Sequence, residues 1–304
     1  MMALAPGVSY FDLDFQRRRG IIATAVVHGG DGVALVDPGP STTLPTLRAA
    51  LSGAGIAMRD VTAILLTHIH LDHAGATGTL VREHRGIRVY VHEKGAPHLA
   101  NPDKLLASAA RLYGDEMDRL WGELAPVPSA AMAILQGGER ISVGGRTFEV
   151  EYTPGHASHH VSYFDRESGV ALVGDAAGVR MTPGGFVMPP TPPPDVDLDA
   201  WRDSLVRIGR WRPDTLFLTH FGPSAPVPGH LSELGDHLDL VSRLVKTSLA
   251  REGSDADREA WFADELRREL LSRRMSDADS HAYEVAGRFD LNWRGLARYW
   301  RKKA

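Results

Sequence analysis

Cysteine is absent from the 304 residues, and that single absence removes disulfides, thiolate metal ligands, iron–sulfur clusters and cysteine nucleophiles together. Any metal must be held by His, Asp or Glu. An excess of positive charge is also missing. With 34 Lys and Arg against 38 Asp and Glu, the formal charge is -4, so the chain lacks the basic balance of a dedicated nucleic-acid binder. No apolar run approaches the length needed to span a bilayer, and the opening "MMALAPGVSYFDLDFQRRRG" has no basic segment followed by a long apolar stretch. A soluble cytoplasmic protein is expected. No internal repeat of fixed period is found. What is present, 43% hydrophobic and 24% charged residues, suffices for a sizeable core, and one large domain with an appendage is expected.

Along the chain, "GIIATAVVHGGDGVALVDPG" (20–39) reads as two β-branched strands joined by a Gly/Asp turn, with Asp37-Pro38-Gly39 stopping the second. A helix is predicted over 41–56, a buried strand over 61–68, a helix over 76–85 and a strand over 86–93. The segment 101–125 has a helical texture and reads as an insertion able to cap a site. Strand signals resume at 137–156, 159–178 and 213–223, with a helix over 198–211. Strands interleaved with helices mean a mixed α/β layering. The Pro-rich stretch 182–197 must be a loop, because its prolines lack amide donors and fix φ. Phe186 and Met188 within it could offer apolar contacts to a site. From about Leu231 the texture becomes charged amphipathic helix in three segments, the second running over 257–274. Residues 1–230 are thus expected to form a catalytic domain and 231–304 a C-terminal helical region.

The densest chemistry lies in "LLTHIHLDHAGA" (65–76), where His68, His70, Asp72 and His73 follow an apolar run. Partly buried imidazoles and carboxylates are costly unless something satisfies them. Three further ligand-type residues stand at comparable places: His156 after "VEYTP", Asp175 after "VALVG" and His220 after "LFLT". Strand ends in a layered α/β protein converge on one rim, so side chains far apart in sequence can meet there. Imidazole and carboxylate without thiolate suit Zn²⁺, Mn²⁺ or Fe²⁺, and this set is larger than one tetrahedral ion needs. Two divalent ions are implied, with zinc the first choice and manganese or iron(II) the alternatives.

"THIHLDHAG", "TPGHASHH", "VGDAAG" and "LTHFGP" resemble, in order, the signatures of the metallo-β-lactamase superfamily, and the resemblance covers roughly residues 18–223. It implies an αββα sandwich of two mixed sheets flanked by helices. Carried over residue by residue, it implies that His68, His70 and His156 bind one metal, that Asp72, His73 and His220 bind the other, and that Asp175 bridges them. The presence of Asp175 is similar to glyoxalase II-like and lactonase-like members, although the chain continues "GDAAGVRMTPGG" rather than with a glutathione-binding pattern. The resemblance also suggests that Asp37, otherwise a turn residue, hydrogen-bonds to the histidine loop.

Two metals held close together lower the pKa of a shared water and leave hydroxide as nucleophile at neutral pH. The expected function is therefore dinuclear metal-dependent hydrolysis of a carboxylic ester, thioester or lactone, with Asp72 and Asp175 as catalytic carboxylates. The alternatives are a phosphodiesterase or endoribonuclease-like hydrolase and a mononuclear iron persulfide dioxygenase. A small-molecule substrate is the expected partner, without a membrane; nucleic acid and a second copy of the chain are left open. Tyr113 and Trp121 are expected beside Phe186 and Met188 in an apolar substrate wall. His28, His84, His98, His230, His237 and His281 are expected on the surface or in loops. His92 should be a packing residue. Of His159 and His160, strand alternation should turn at most one inward. The tail "LNWRGLARYWRKK" should pack its aromatic residues rather than offer them to RNA.

Overall fold

The computed structural model describes residues 1–273 and 275–303, and the side chains of Asp277 and Ala278 lie outside that description. Seven strands form the first sheet in chain order: β1 Met2–Ala5, β2 Val8–Asp12, β3 Ala23–Gly29, β4 Gly32–Val36, β5 Val61–Leu65, β6 Arg88–His92 and β7 Met132–Leu135. Helices α1 Leu44–Gly53, α2 Leu71–Ala74, α3 Thr77–Glu83, α4 Ala96–Ala100, α5 Asp103–Tyr113 and α6 Met117–Leu120 lie in the connections. Neighbours from β1 to β4 are antiparallel and those from β4 to β7 parallel. This follows from the connections, because tight turns can join only antiparallel strands whereas parallel ones need a crossover. The second sheet contains β8 Arg140–Val143, β9 Arg146–Tyr152, β10 Val161–Asp165, β11 Val170–Leu172, β12 Thr215–Leu218 and β13 Gly222–Ser224, in the order β13-β12-β11-β10-β9-β8. Its one parallel pair, β11 with β12, is the pair connected through α7 Leu198–Arg210. Four helices follow: α8 Val227–Leu249, α9 Asp255–Ser272, α10 Asp277–Gly287 and α11 Phe289–Lys303. Among the described residues, no helix is long and apolar enough to cross a membrane.

Alternation along the strands sorts side chains into three apolar layers. Ala25, Ala34, Ala63 and Leu65 of the first sheet meet Phe148, Tyr163 and Phe217 of the second. Small residues on one sheet thus face large ones on the other. Tyr163 keeps its hydroxyl satisfied in this layer by donating to the Leu66 carbonyl at 2.7 Å. On the opposite face of the first sheet, Val26, Leu35, Ile64 and Val89 join Leu47 and Leu51 of α1 and the helices of the tail. Beyond the second sheet, Ala171, Leu216 and Leu218 cover Ile208 of α7 and Trp211. The result is the expected αββα sandwich.

Several local expectations need correction. Strands β1, β2 and β7 escaped the sequence reading, since each is short and none has a strong β-branched run. The predicted helix over 76–85 is α3, and the short α2 before it, which carries Asp72 and His73, was not expected. The insertion over 101–125 is helical only in α5 and α6 with a 3₁₀ turn between them, and it runs as coil after Trp121. Helix α8 begins at Val227, across the expected boundary at 230, because Pro226 and Pro228 suit a helix start. The predicted helix over 257–274 ends at Arg274, which lies outside the described residues.

Candidate metal centre

Four strands deliver the candidate ligands to one rim. β5 leads into the loop and short helix carrying His68, His70, Asp72 and His73; β9, β11 and β12 precede His156, Asp175 and His220. The side chains converge. His70 Nδ1 lies 2.9 Å from His156 Nε2, His156 Nε2 lies 3.4 Å from Asp175 Oδ2, and His73 Nε2 lies 3.4 Å from Asp175 Oδ1. His220 Nε2 is 3.3 Å from Asp72 Oδ2. Three overlapping groups result, each with its ligand atoms within 4.8 Å of one another: His68, His70 and His156; Asp72, His73 and His220; and His68, His73 and Asp175.

The outer hydrogen bonds aim the rings. His156 Nδ1 donates to the Pro190 carbonyl at 2.8 Å and His220 Nδ1 to the Ile21 carbonyl at 2.7 Å. A carbonyl only accepts, so the proton of each neutral ring sits on Nδ1 and the Nε2 lone pair faces the cluster. Asp37 does the same for His73, accepting from Nδ1 at 2.8 Å. Its carboxylate also accepts from the Thr67 amide at 2.9 Å, the Thr67 hydroxyl at 2.7 Å and the Thr219 hydroxyl at 2.9 Å. One buried carboxylate therefore ties together the two strand ends that carry His68 and His220. The Thr67 hydroxyl is committed to Asp37 as donor, so it accepts from His68 Nδ1 at 3.1 Å. Asp37 holds this position with φ 50°, a left-handed conformation that Asp tolerates better than most side chains.

Charge and burial then oppose each other. Burial, joined by the neighbouring imidazoles, pushes His68 well below its usual range, and it takes His70 down to about 4. His156 is lowered by burial too. Burial acts against protonation of His73 and His220 as well, but Asp175 and Asp72 outweigh it and raise both. Burial alone would raise Asp72; His73 and His220 instead hold it at about 2, and Asp175 is likewise lowered against burial by His73, His156 and His220. His68 Nε2, His73 Nε2 and Asp175 Oδ1 are buried with no hydrogen-bond partner among the described residues. Orphaned polar atoms of this kind cost free energy unless a ligand satisfies them. Lone pairs from imidazole and carboxylate converging on one space fit divalent cations of the zinc, manganese or iron(II) type.

Other histidines depart from expectation. His159 and His160 are both buried, because they lie in a turn before β10 where strand alternation does not apply. His160 Nε2 accepts from the amides of Asp175 and Ala176, both at 3.3 Å, and so steadies the Asp175 loop. His230 and His237 are buried rather than exposed. His230 bonds to Ser224 at 2.8 Å and the Ala177 carbonyl at 2.7 Å, while His237 donates to the Val187 carbonyl at 2.8 Å. His92 is a packing residue stacked on Tyr152. His28, His84 and His98 are half-buried, and His281 is exposed. Trp201 of α7 was missed altogether. Its indole donates to the Ala176 carbonyl at 2.7 Å, and its side chain leaves room only for glycine at 155, where a Cβ would sit 2.3 Å from it. The roles of Thr67 and Thr219 had a signal in the sequence, since Leu-Thr-His ends both strands.

Two cavities meet at the cluster. One, of about 800 Å³, reaches Asp72 and His220 and is walled by α9, α10, the start of α11 and the N-terminal segment around Phe15. The other, of about 110 Å³, is lined by His70, Asp72, His156 and Asp175 together with Pro190 and Pro192. Tyr113 and Trp121 line both, as expected of a substrate wall. Phe186 and Met188 line neither: Phe186 stacks on His237 at 3.8 Å between ring centroids, and Met188 is wholly buried. The loop after them supplies the prolines instead.

A family model described as the metallo-beta-lactamase superfamily matches residues 17–220. The chain is 30% identical over 176 residues to the metallo-beta-lactamase fold-containing protein ST1585 of Sulfurisphaera tokodaii, covering 56% of this chain and 65% of that one. It is 30% identical over 132 residues to a hydroxyacylglutathione hydrolase of Yersinia enterocolitica, covering 43% and 38%. It therefore spans less than two thirds of either curated relative. Among solved structures, the metallo-beta-lactamase family protein TTHA1429 of Thermus thermophilus superposes with a TM-score of 0.73 at 25% identity, covering 99% of this chain and 95% of that one.

Proposed function

The chain belongs to the metallo-beta-lactamase superfamily, and from that premise we propose that it is a hydrolase holding two divalent cations and cleaving a carboxylic ester, thioester or lactone. The observation that carries this reading is the division of the donors into His68, His70 and His156 on one side and Asp72, His73 and His220 on the other, with Asp175 facing both groups. Asp175 Oδ2 is near His156 and its orphaned Oδ1 is near His73, which is the disposition of a bridging carboxylate. Bound there, cations supply Lewis-acid polarisation of a carbonyl and lower the pKa of water towards neutrality.

The chain's own groups do the rest. The Nδ1 contacts of His68, His73, His156 and His220 hold these imidazoles in the tautomer that presents the Nε2 lone pair, whereas His70 turns Nδ1 itself into the cluster. Asp72 lines both cavities, so its carboxylate can orient a water and receive its proton. The larger cavity lies within the volume range of small-molecule sites. Three of its four arginines are paired with carboxylates, Arg119 with Glu116, Arg267 with Glu284 and Arg288 with Asp290, while Arg18 bonds to His281. Three of the five cations of α11 are paired as well: Arg294 with Glu259, Arg301 with Asp255 and Lys303 with Asp199. This favours a small molecule over a nucleic acid.

The test is elemental analysis of protein purified without chelator, paired with a panel of aryl esters, thioesters, lactones and bis-aryl phosphodiesters. Two transition-metal ions per chain and a higher kcat/KM on a carbonyl substrate are expected. One ion, unchanged by added zinc or manganese, would reopen the mononuclear dioxygenase; a more than tenfold preference for phosphodiesters, about 1.4 kcal/mol, would replace the acyl reading.

A further inference from the structure

Tyr113, the last residue of α5, stands where the two cavities meet and lines both. Its ring is held from two sides. Trp121 presents an edge with centroids 5.0 Å apart, and the Arg288 guanidinium lies 5.3 Å from the ring centre. Arg288 is itself fixed by a bidentate pair with Asp290, at 2.9 and 2.8 Å. The phenol is thus placed by packing and charge, without a hydrogen bond of its own among the described residues.

Three other tyrosines are satisfied within the fold, whereas Tyr10 and Tyr90 share with Tyr113 a hydroxyl without a protein partner among the described residues; what sets Tyr113 apart is its place on the wall of both cavities. Tyr163 donates to the Leu66 carbonyl at 2.7 Å, Tyr283 to the Phe186 carbonyl at 2.5 Å and Tyr152 to the Ser158 carbonyl at 2.9 Å. Tyr113 Oη has no such partner among the described residues. Desolvation, with the Asp72 charge adding to it, pushes this phenol well above its usual value, so it keeps its proton and remains a donor. A neutral donor on the wall shared by both cavities, with the Asp72 carboxylate on the same wall and no protein acceptor among the described residues, is free to bond to a molecule held there.

We propose that Tyr113 is a catalytic residue whose hydroxyl donates a hydrogen bond to the leaving oxygen or sulfur of the substrate. This rests on the carbonyl-substrate reading above. The bond from the acyl carbon to the leaving atom breaks with its electron pair going to that atom. Water supplies the new hydroxyl on the acyl carbon, and its other proton ends on the leaving atom, so acid and alcohol or thiol are released. Tyr113 keeps its own proton and stabilises charge as it accumulates, which matters more the poorer the leaving group. The cavity sizes agree: the leaving arm can extend into about 800 Å³, with Tyr113 on its wall.

Tyr113→Phe removes the hydroxyl and keeps the ring. Steady-state kinetics on the metal-loaded enzyme would use 4-nitrophenyl, phenyl and alkyl esters of one acyl group. The loss in kcat/KM should grow along that series, from about threefold for the nitrophenyl ester to about a hundredfold for the alkyl ester, with metal content unchanged. Trp121→Phe, which loosens the ring that holds Tyr113, should show a smaller loss graded in the same order. A uniform loss or no loss in Tyr113→Phe would overturn the assignment. Wild-type turnover decides the broader reading separately. If only phosphodiesters are cleaved, the carbonyl reading falls, and a 4-nitrophenyl against phenyl phosphodiester pair tests Tyr113 by the same graded loss, a flat response overturning it.

Discussion

Removing the Asp37 carboxylate would strand four donors in the interior, namely the Thr67 amide and hydroxyl, the Thr219 hydroxyl and His73 Nδ1. Each would lose its acceptor where water cannot replace it. Asp37→Ala should therefore destabilise the fold by about 3–5 kcal/mol and weaken metal binding by about 10–100-fold. Chemical denaturation and metal titration check the two separately; unchanged metal affinity would show that Asp37 only braces the fold. Asp175→Ala acts on the cluster directly. It should leave one ion weakly held and reduce turnover by more than about 100-fold, since loss of a direct ligand exceeds the loss of its supports. Full occupancy with near-wild-type turnover would remove Asp175 from the site. At this scale the sequence was informative about the candidate ligands, which announce themselves as His and Asp after apolar strands and which the fold brings to one rim. It was poor on their supports, because Trp201 and His160 look like ordinary core and loop residues until the loops that they touch are brought beside them.

Helix α8 connects the tail to the sandwich through His230. Burial, joined by the charge of Arg180, lowers His230 to about 4, although its bond to the Ala177 carbonyl works in the opposite direction. The unfolded imidazole titrates near 6.5, so between those values the unfolded chain binds a proton that the folded chain refuses. The contribution of His230 to stability is complete above pH 6.5 and is lost as the pH falls towards 4. Its ceiling is about 3 kcal/mol, from a displacement of two to three pH units at about 1.4 kcal/mol each. Urea midpoints measured from pH 7.5 to 4.5 should show a shallower decline for His230→Gln than for wild type; parallel curves would show that other buried histidines set the acid lability.

Across the whole molecule, the tail is part of the core. Leu234, Leu238, Val241 and Val245 of α8 are fully buried in the same apolar cluster as Val179, Val187 and Trp201. At about 1.5–3 kcal/mol for each such side chain, they contribute about as much as the entire net stability of a typical domain. The tail also walls the larger cavity through Ala260, Ala263 and Phe289. A chain ending before Pro226 is therefore expected to aggregate on expression. A monodisperse truncation with wild-type melting temperature and KM would mean that the tail is dispensable to both core and site.

By itself the sequence determined the layered α/β class, the identity of the seven ligand-type side chains and the exclusion of thiolate chemistry, because each depends on residue type and on periodicity along the chain. Whatever depends on distance between remote segments was decided by the tertiary structure. The strand ends bearing His68 and His220 are adjacent because Thr67 and Thr219 share one carboxylate. His159 and His160 both turn inward because their backbone is a turn, which sequence alternation could not register. The apolar wall is built by prolines after Met188 rather than by Phe186, since α8 claims Phe186 through His237. In the sequence Tyr113 stands out only as an expected part of an apolar substrate wall. Only the packing of α10 and α11 against α5 makes it part of the wall of both cavities, because cavity lining is a property of the folded chain.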